Sequence, residues 1–374
     1  MSLMKVALVH DHLLEFGGAE RVFLALKRIF PDADVYTAAF NPQVLKQHAP
    51  EYQSWNLTTS WASRIPFFSN LYSPLRFLAP RIWESFDLSK YDLVISSSGW
   101  FMSKGVITKG KTRHFCYLHH QPRYLYNYET AMDWQKHLPI RIYAHFVNHF
   151  LRVWDFQASQ RPDEIIVNSE ETKKRVKKFY RRDATVIYPP VAIPKNHSIT
   201  EGDITSRDYY VTVSRLSKAK NVDLLIKAAN ENQFQLKIIG KGRDEEYLRS
   251  LAGKTVEFLG HITDEQFATV YKNAKAFLFA SVDEEFGIAP VEAMGYGVPV
   301  IAYASGGLKE TIKDGKNGYL YDKLETQDLL RIISKIESLS HDNYTKMVKN
   351  ARKEAEKYSF EIFRSQILKA ISHL

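Results

Sequence analysis

The stretch Asp283-Glu284-Glu285-Phe286-Gly287-Ile288-Ala289-Pro290-Val291-Glu292-Ala293-Met294-Gly295 decides how this chain is read. The apolar run 276–280 before it has the length and composition of a buried strand, and 291–294 reads as the first turn of a helix. A strand, a glycine-containing turn and a helix start bring backbone N–H groups to the C-terminal end of a strand. Open α/β sheets hold their ligands at that end. Glu284 and Glu292 stand eight positions apart across the turn, so two carboxylates share the pocket with the amides. Carboxylates accept from hydroxyls and helix-start amides face phosphate, a combination suited to a polyhydroxylated, phosphorylated ligand.

Outward from this stretch the pattern is strand–helix alternation. Strand candidates at 5–9, 34–37, 93–96, 114–117 and 164–168, with helices at 20–29 and 170–179, form a first series. Residues 185–191 carry Tyr188-Pro189-Pro190, a rigid run that suits a boundary. From 209 the alternation restarts, with strands at 210–213, 236–239, 257–259, 276–279 and 300–303. Helices at 221–231, 244–252, 264–273, 291–296 and near 308–313 lie between or after them. Two βαβ series predict an α/β fold of two doubly wound, Rossmann-like domains, 1–191 and 192–359, facing across a cleft. The terminal helix, 360–374, is expected to pack back on the first domain. The charged stretch 198–207 reads as a mobile loop.

A chain of 374 residues with 45% apolar and 13% aromatic content can fill two cores, which excludes global disorder. Its single cysteine, Cys116, leaves neither an intrachain disulfide nor a thiol cluster for zinc and suits a reducing cytoplasm. The apolar run 6–9 gives way at once to His10 and Asp11, so the start is not read as a signal peptide. No run approaches the ~18 apolar residues of a spanning helix. The expectation is a cytoplasmic protein, soluble or peripheral at the inner face of the cell membrane. Lys and Arg total 51 against 42 Asp and Glu, a net charge of +9. That excess favours phosphorylated ligands, anionic lipid or nucleic acid without choosing among them. A nucleic-acid-binding protein would explain the charge but not paired acids in a cleft, and no aromatic–basic nucleic-acid motif is present, so no nucleic acid is expected as partner.

Four further constellations matter. Gly17-Gly18-Ala19-Glu20 follows a strand and opens a helix, where glycines let backbone amides approach a phosphate. Arg215 and Lys220 follow the strand 210–213 and can converge on one anion, with Gly240-Lys241-Gly242 after the next strand. His119 and His120 lie at the end of a first-domain strand, placed to donate to a sugar hydroxyl or to developing charge. His10-Asp11-His12 shapes the first loop, with Asp11 or His12 a candidate to touch an acceptor. Asp32-Ala33-Asp34 has the spacing of a metal-binding pair but falls at the wrong end of the sheet and reads as a turn; no metal ligands are assigned. The segment 61–86 interleaves Phe67, Phe68, Leu71, Tyr72, Phe77 and Trp83 with Arg64, Arg76 and Arg81. It reads either as a membrane-surface helix or as ordinary core helices, and the basic run 173–182 as a solvated face.

From residue 5 to about 366 the chain resembles the retaining, nucleotide-sugar-dependent glycosyltransferases of family 4, with GT-B architecture. The likeness is greatest to bacterial and archaeal mannosyltransferases of surface polysaccharide assembly. It rests on the Glu-x7-Glu pair, Gly-Gly-Ala-Glu-Arg-Val at 17–22, His119 with Pro122-Arg123-Tyr124, the run 183–191, and Gly306-Gly307-Leu308-Lys309-Glu310-Thr311. The resemblance implies sugar transfer with retention, no cofactor and no metal. The donor would be a nucleotide sugar, GDP-mannose first, and the acceptor a lipid-linked or oligosaccharide molecule at an anionic membrane surface. It further implies that Gly18, beside Gly17, together with Arg215 and Lys220 holds the distal phosphate, and that Gly240 belongs to the donor site. Glu284 and the turn Phe286, Gly287, Ile288 and Ala289 would hold the donor sugar, Glu292 the ribose, and His261 and Ile262 would frame the base. His119 would reach the sugar. The related pattern reads His-Thr-Pro-x-Arg-Tyr where this chain has His119-His120-Gln121-Pro122-Arg123-Tyr124, which leaves open which histidine acts. His120, Arg123 and Tyr124 are then acceptor-side candidates with Asp11 and His12. A UDP-sugar transferase or epimerase is the alternative enzyme.

Overall fold

The computed structural model describes residues 4–130, 137–194 and 199–372. Seven parallel strands build the first sheet: β1 (Val6–His10), β2 (Asp34–Thr37), β3 (Leu57–Thr59), β4 (Leu93–Ser98), β5 (Arg113–Leu118), β6 (Glu164–Val167) and β7 (Thr185–Val186). Their order across the sheet is β3-β2-β1-β4-β5-β6-β7. Six more form the second: β8 (Tyr209–Val213), β9 (Leu236–Ile239), β10 (Val256–Gly260), β11 (Ala274–Phe279), β12 (Val300–Tyr303) and β13 (Gly318–Tyr321). They run β10-β9-β8-β11-β12-β13, the same winding repeated. Ala7, Leu8 and Val9 in β1 and Ala276, Phe277 and Leu278 in β11 are fully buried. Helices on both faces of a parallel sheet make near-continuous apolar runs the expected strand pattern.

The chain divides into two compact units, Met1–Pro190 with Phe363–Leu374, and Val191–Ile362. The terminal helix Phe360–Ser372 returns to the first unit, where Phe363 is buried with its ring 5.9 Å from that of Tyr117. Both sheets reverse their winding direction between their first and fourth strands. That switch point lies between β1 and β4 in one unit and between β8 and β11 in the other.

The structure corrects the sequence reading in three places. The helix after β11 runs Ile288–Gly295 and so begins before Val291. Gly287 takes the left-handed conformation (φ 87°) that turns the chain into it, and a Cβ there would lie 2.6 Å from Leu308 Cδ2. Pro290 does not delay the start, because first-turn N–H groups have no intrahelical acceptor to lose. The segment 61–86 is no single helix: Pro66, Pro74 and Pro80 divide it into the short pieces Trp61–Arg64, Phe68–Leu71, Pro74–Leu78 and Ala79–Glu84. Phe68, Ile82 and Trp83 from it are core residues. Within the stretch read as a loop, 201–205 is helical, because Thr200 Oγ1 accepts from Asp203 N (3.2 Å) and Asp203 Oδ2 from Thr200 N (3.0 Å). Ser198 lies outside the described residues. The short edge strands β3 and β13 and the helices Pro42–His48, Leu138–Ser159, Thr326–Glu337 and His341–Ala355 have no counterpart in the sequence reading.

Candidate active site

In the second unit the chain leaves β8 through Ser214, Arg215 and a 3-10 turn, Lys218–Lys220, and enters helix Val222–Asn232. Asn221 makes this entry in the left-handed conformation (φ 48°), and its Nδ2 donates to Ala280 O at 3.1 Å, tying it to the end of β11. The tie brings Lys220 across the switch point. Lys220 Nζ donates to Glu284 Oε2 at 2.6 Å and to Ser281 Oγ at 3.1 Å, while Ser281 Oγ donates to the same Glu284 oxygen at 2.9 Å. The ammonium also sits 5.6 Å from the Phe279 ring centroid. Lys220 and Glu284 keep 25% and 18% of their side-chain surface exposed, so the pair is reachable by solutes. Such a part-open ion pair contributes little to stability. Its geometry presents a fixed cation and a fixed acceptor side by side.

The loop carrying Glu284 is held from behind. Gly307 N donates to Glu284 O at 2.8 Å and Ser305 Oγ accepts from Asp283 N at 2.9 Å. Gly306 (φ 58°) approaches so closely that a Cβ would fall 2.0 Å from Glu284 O. The sequence element Gly306-Gly307 therefore supports the loop that carries the acid. Four residues beyond Glu284 the helix Ile288–Gly295 begins, with Gly287, Ile288 and Ala289 at its N-terminus and half-buried Glu292 one turn on. Among the donor-side candidates, Arg215 is exposed on the β8 connection, but Phe286 is 2% exposed and packs its ring 5.2 Å from Tyr358. Only the Phe286 backbone is at the turn. Gly240 N is engaged with Gly260 O at 2.8 Å, His261 is exposed, and Ile262 is buried.

The corresponding place in the first unit is closed. Asp11 Oδ2 accepts from Gly99 N (3.0 Å) and Phe101 N (2.6 Å), and Oδ1 from Ser103 N (2.8 Å), so the carboxylate cages the loop after β4. Burial pushes the Asp11 carboxyl up, but His10 and the Ser103 and Phe101 donors outweigh it and hold the group below its ordinary value. His119 Nε2 meets Ser97 Oγ at 2.8 Å, and the same hydroxyl meets His10 Nδ1 at 3.0 Å. His10 Nε2 continues to Glu20 Oε1 at 3.4 Å, and Glu20 Oε2 accepts from Gly17 N at 2.8 Å. The Gly17 amide thus already serves a carboxylate, with Gly18 next to it at the start of helix Gly18–Ile29. Burial drives the His119 imidazole down to about 3, with His10 and His120 adding to it, so the ring is neutral at physiological pH. His120 is half-buried, its Nδ1 2.8 Å from Gln121 O.

His12 and Tyr124 are buried, and His12 Nδ1 and Tyr124 OH find no hydrogen-bond partner among the described residues. The His12 ring lies against Tyr72 at 4.9 Å, and Arg76 sits 5.1 Å from the Tyr124 ring. Arg123 Nη1 donates to Glu129 O at 3.4 Å. Ser97 and Ser281 are contributors that motif reading passed over. Each is a small hydroxyl at or just beyond the C-terminal end of a strand next to the switch point, and that position was their available signal. Asp34, from the Asp-x-Asp turn, starts β2 at the opposite end of the sheet. Among the described residues no three His, Cys, Asp or Glu side chains are placed to share a metal ion.

Two doubly wound parallel sheets with polar clusters at the carboxyl ends of their strands fit the GT-B class of protein. Residues 16–193 match the family described as Glycosyltransferase Family 4, and residues 196–354 match Glycosyl transferases group 1. The two matches follow one another along most of the chain, and the chain belongs to the family 4 glycosyltransferases of GT-B architecture. It is 23% identical to an alpha-1,3/1,6-mannosyltransferase of Dictyostelium discoideum over 97% of both chains. An uncharacterized glycosyltransferase of Methanocaldococcus jannaschii is 29% identical over 54% of this chain and 58% of its own length. The chain thus spans little more than half of that relative, and 56% of a Streptococcus pneumoniae peptide N-acetylglucosaminyltransferase subunit. Among solved structures, Anabaena HepE in complex with UDP and glucose superposes with a TM-score of 0.72 at 22% identity over 100% of both chains.

Proposed function

We propose that this protein transfers a sugar from a nucleotide sugar, with retention of anomeric configuration, to a lipid-linked or saccharide acceptor. The observation that carries the reading is the Lys220–Ser281–Glu284 cluster, tied across the β8–β11 switch point four residues ahead of a helix N-terminus. In this reading the second unit binds the donor and the first handles the acceptor. Lys220 and Arg215 meet the distal phosphate. As the glycosidic bond breaks, the diphosphate gains charge that fixed cations absorb, each contact on the order of 4 kcal/mol at about 4 Å and an effective dielectric near 20. That supply of positive charge makes a divalent metal unnecessary. Glu284, exchanging its bonds to Lys220 and Ser281 for the ligand, accepts from sugar hydroxyls beside the amides of Gly287, Ile288 and Ala289, and Glu292 takes the ribose.

GDP-mannose is the donor proposed first. It is supported by the Dictyostelium mannosyltransferase and by a GDP-mannose-dependent alpha-mannosyltransferase of Corynebacterium glutamicum, 32% identical over 32% of this chain and 28% of its own. A UDP-sugar is the second reading, favoured by the UDP-bound Anabaena structure. Transfer would take place at the cytoplasmic face of a membrane; among the described residues no helix is long and apolar enough to cross one. A thermal-shift panel of GDP, UDP and ADP tests the donor, since ligand at 100 times its Kd adds about 2.7 kcal/mol to native stability. GDP is expected to give the largest shift, with mannose transfer that survives EDTA. A strong response to UDP with none to GDP overturns the donor assignment, and loss of turnover in EDTA that manganese restores overturns metal independence.

A further inference from the structure

The helix Leu138–Ser159 is apolar on two opposite sides. Ala144, Asn148, Leu151, Asp155 and Ala158 form its buried stripe, and Asp155 anchors it inward through the Lys104 ammonium and, at 2.8 Å, through the hydroxyls of Tyr126 and Tyr180. Offset from these by about half a turn, Leu138, Ile142, Phe146, Phe150, Val153 and Phe156 recur at spacings of three and four and are all exposed. Phe146 keeps 70% of its surface in solvent and Phe150 55%. A soluble helix ordinarily turns a polar face outward, so a second apolar stripe indicates a second apolar neighbour.

The stripe is not isolated. The 3-10 turn Pro74–Leu78 runs alongside the helix: Tyr143 OH donates to Pro74 O, and Arg76 Nη2 donates to Asn148 Oδ1 at 3.0 Å. The turn and the short helix before it expose Phe77, Leu71 and, at 74%, Phe67. Phe67 is held in the left-handed conformation (φ 59°), which a bulky side chain adopts only under constraint. The charges decide the occupant. Arg141 and Arg152 are exposed along one edge of the stripe, Arg64 is exposed in the neighbouring segment, and the helix has no carboxylate other than buried Asp155. A two-fold contact between copies would set these cations against themselves with no acid on the stripe to pair them. An anionic bilayer pairs every one of them and buries the aromatic rings at headgroup depth.

We propose that the outer stripe of helix Leu138–Ser159, with Phe67, Leu71 and Phe77, is the surface by which this protein lies on an anionic membrane. This deepens the membrane side of the proposed function and rests on it, while the donor chemistry belongs to the other unit. The test is co-sedimentation with vesicles of phosphatidylglycerol and phosphatidylcholine against phosphatidylcholine alone, at low salt. The protein is expected to sediment with the anionic vesicles. The exposed-residue variant Phe146→Ser/Phe150→Ser should lower that partitioning by at least about tenfold, and Arg141→Glu should lower it less and flatten its salt dependence. Both variants should keep the wild-type urea midpoint and the nucleotide thermal shift, which separates failure of the surface from failure of the donor reading. Unchanged sedimentation of the double variant, or equal partitioning to both vesicle types, overturns the proposal. So does self-association that the double variant abolishes without any vesicle binding, which would assign the face to a second copy.

Discussion

The carboxyl ends of β1 and β4 in the first unit and of β8 and β11 in the second are the same place in the same strand order, with opposite chemistry. In the first, Asp11, His10, Ser97 and His119 are all buried and spend their polar atoms on one another and on the 99–103 backbone. In the second, Lys220 and Glu284 remain partly open and bond to each other and to Ser281. Topology therefore locates a crevice without deciding its use. Burial turns one set of polar groups into scaffold, and partial exposure leaves the other able to exchange partners with a ligand.

The comparison is broken most severely through Asp11. Removing a buried carboxylate that satisfies three backbone donors leaves those amides without acceptors, so Asp11→Ala should cost about 3–5 kcal/mol of stability. Urea unfolding measures it, and a loss under about 1 kcal/mol would show that the loop does not depend on this acid. A smaller effect follows from His114 and His119, each driven by burial to about 3. Their folded values lie below the unfolded one, so the unfolded chain binds more protons and stability falls as pH drops from about 6.5 toward 3. Each histidine contributes a slope of up to about 1.4 kcal/mol per pH unit in that window. His119→Gln should remove one histidine's share of the slope in urea titrations between pH 6 and 4; an unchanged slope would mean that His119 is charged in the folded protein.

Much of the second unit was legible in sequence because its strands are short apolar runs punctuated by glycine, as at 236–239 and 276–280. The paired acids and the Arg215–Lys220 spacing stood out because charged residues directly after such runs have few structural reasons to be there. The Lys220–Glu284 contact was not legible. It depends on β8 and β11 becoming neighbours, with the two side chains 64 positions apart in sequence. In the first unit motif reading offered Asp11 to an acceptor, whereas its carboxylate is consumed by amides 88 to 92 residues away, a pairing that no local pattern encodes. In 61–86 the aromatic–basic composition left a membrane-surface helix and ordinary core helices both open, and the prolines at 66, 74 and 80 are what divide the segment. The outward stripe of helix Leu138–Ser159 is hidden in sequence because two apolar faces together read as an apolar helix with no direction.

The central claim is that the open cluster in the second unit is the donor site. The most direct test is the initial rate of sugar transfer by Lys220→Ala, Glu284→Ala and the neighbouring Glu285→Ala, with urea midpoints for each. Lys220→Ala should lose roughly 100- to 1,000-fold in turnover, the usual consequence of removing one preorganised charge-stabilising donor. Glu284→Ala should be similarly impaired through mispositioning of the sugar, and Glu285→Ala should remain largely active. All three should unfold within about 1 kcal/mol of wild type, since the Lys220–Glu284 pair is part-open. Near-normal transfer by folded Lys220→Ala and Glu284→Ala would contradict the account and move the donor site elsewhere.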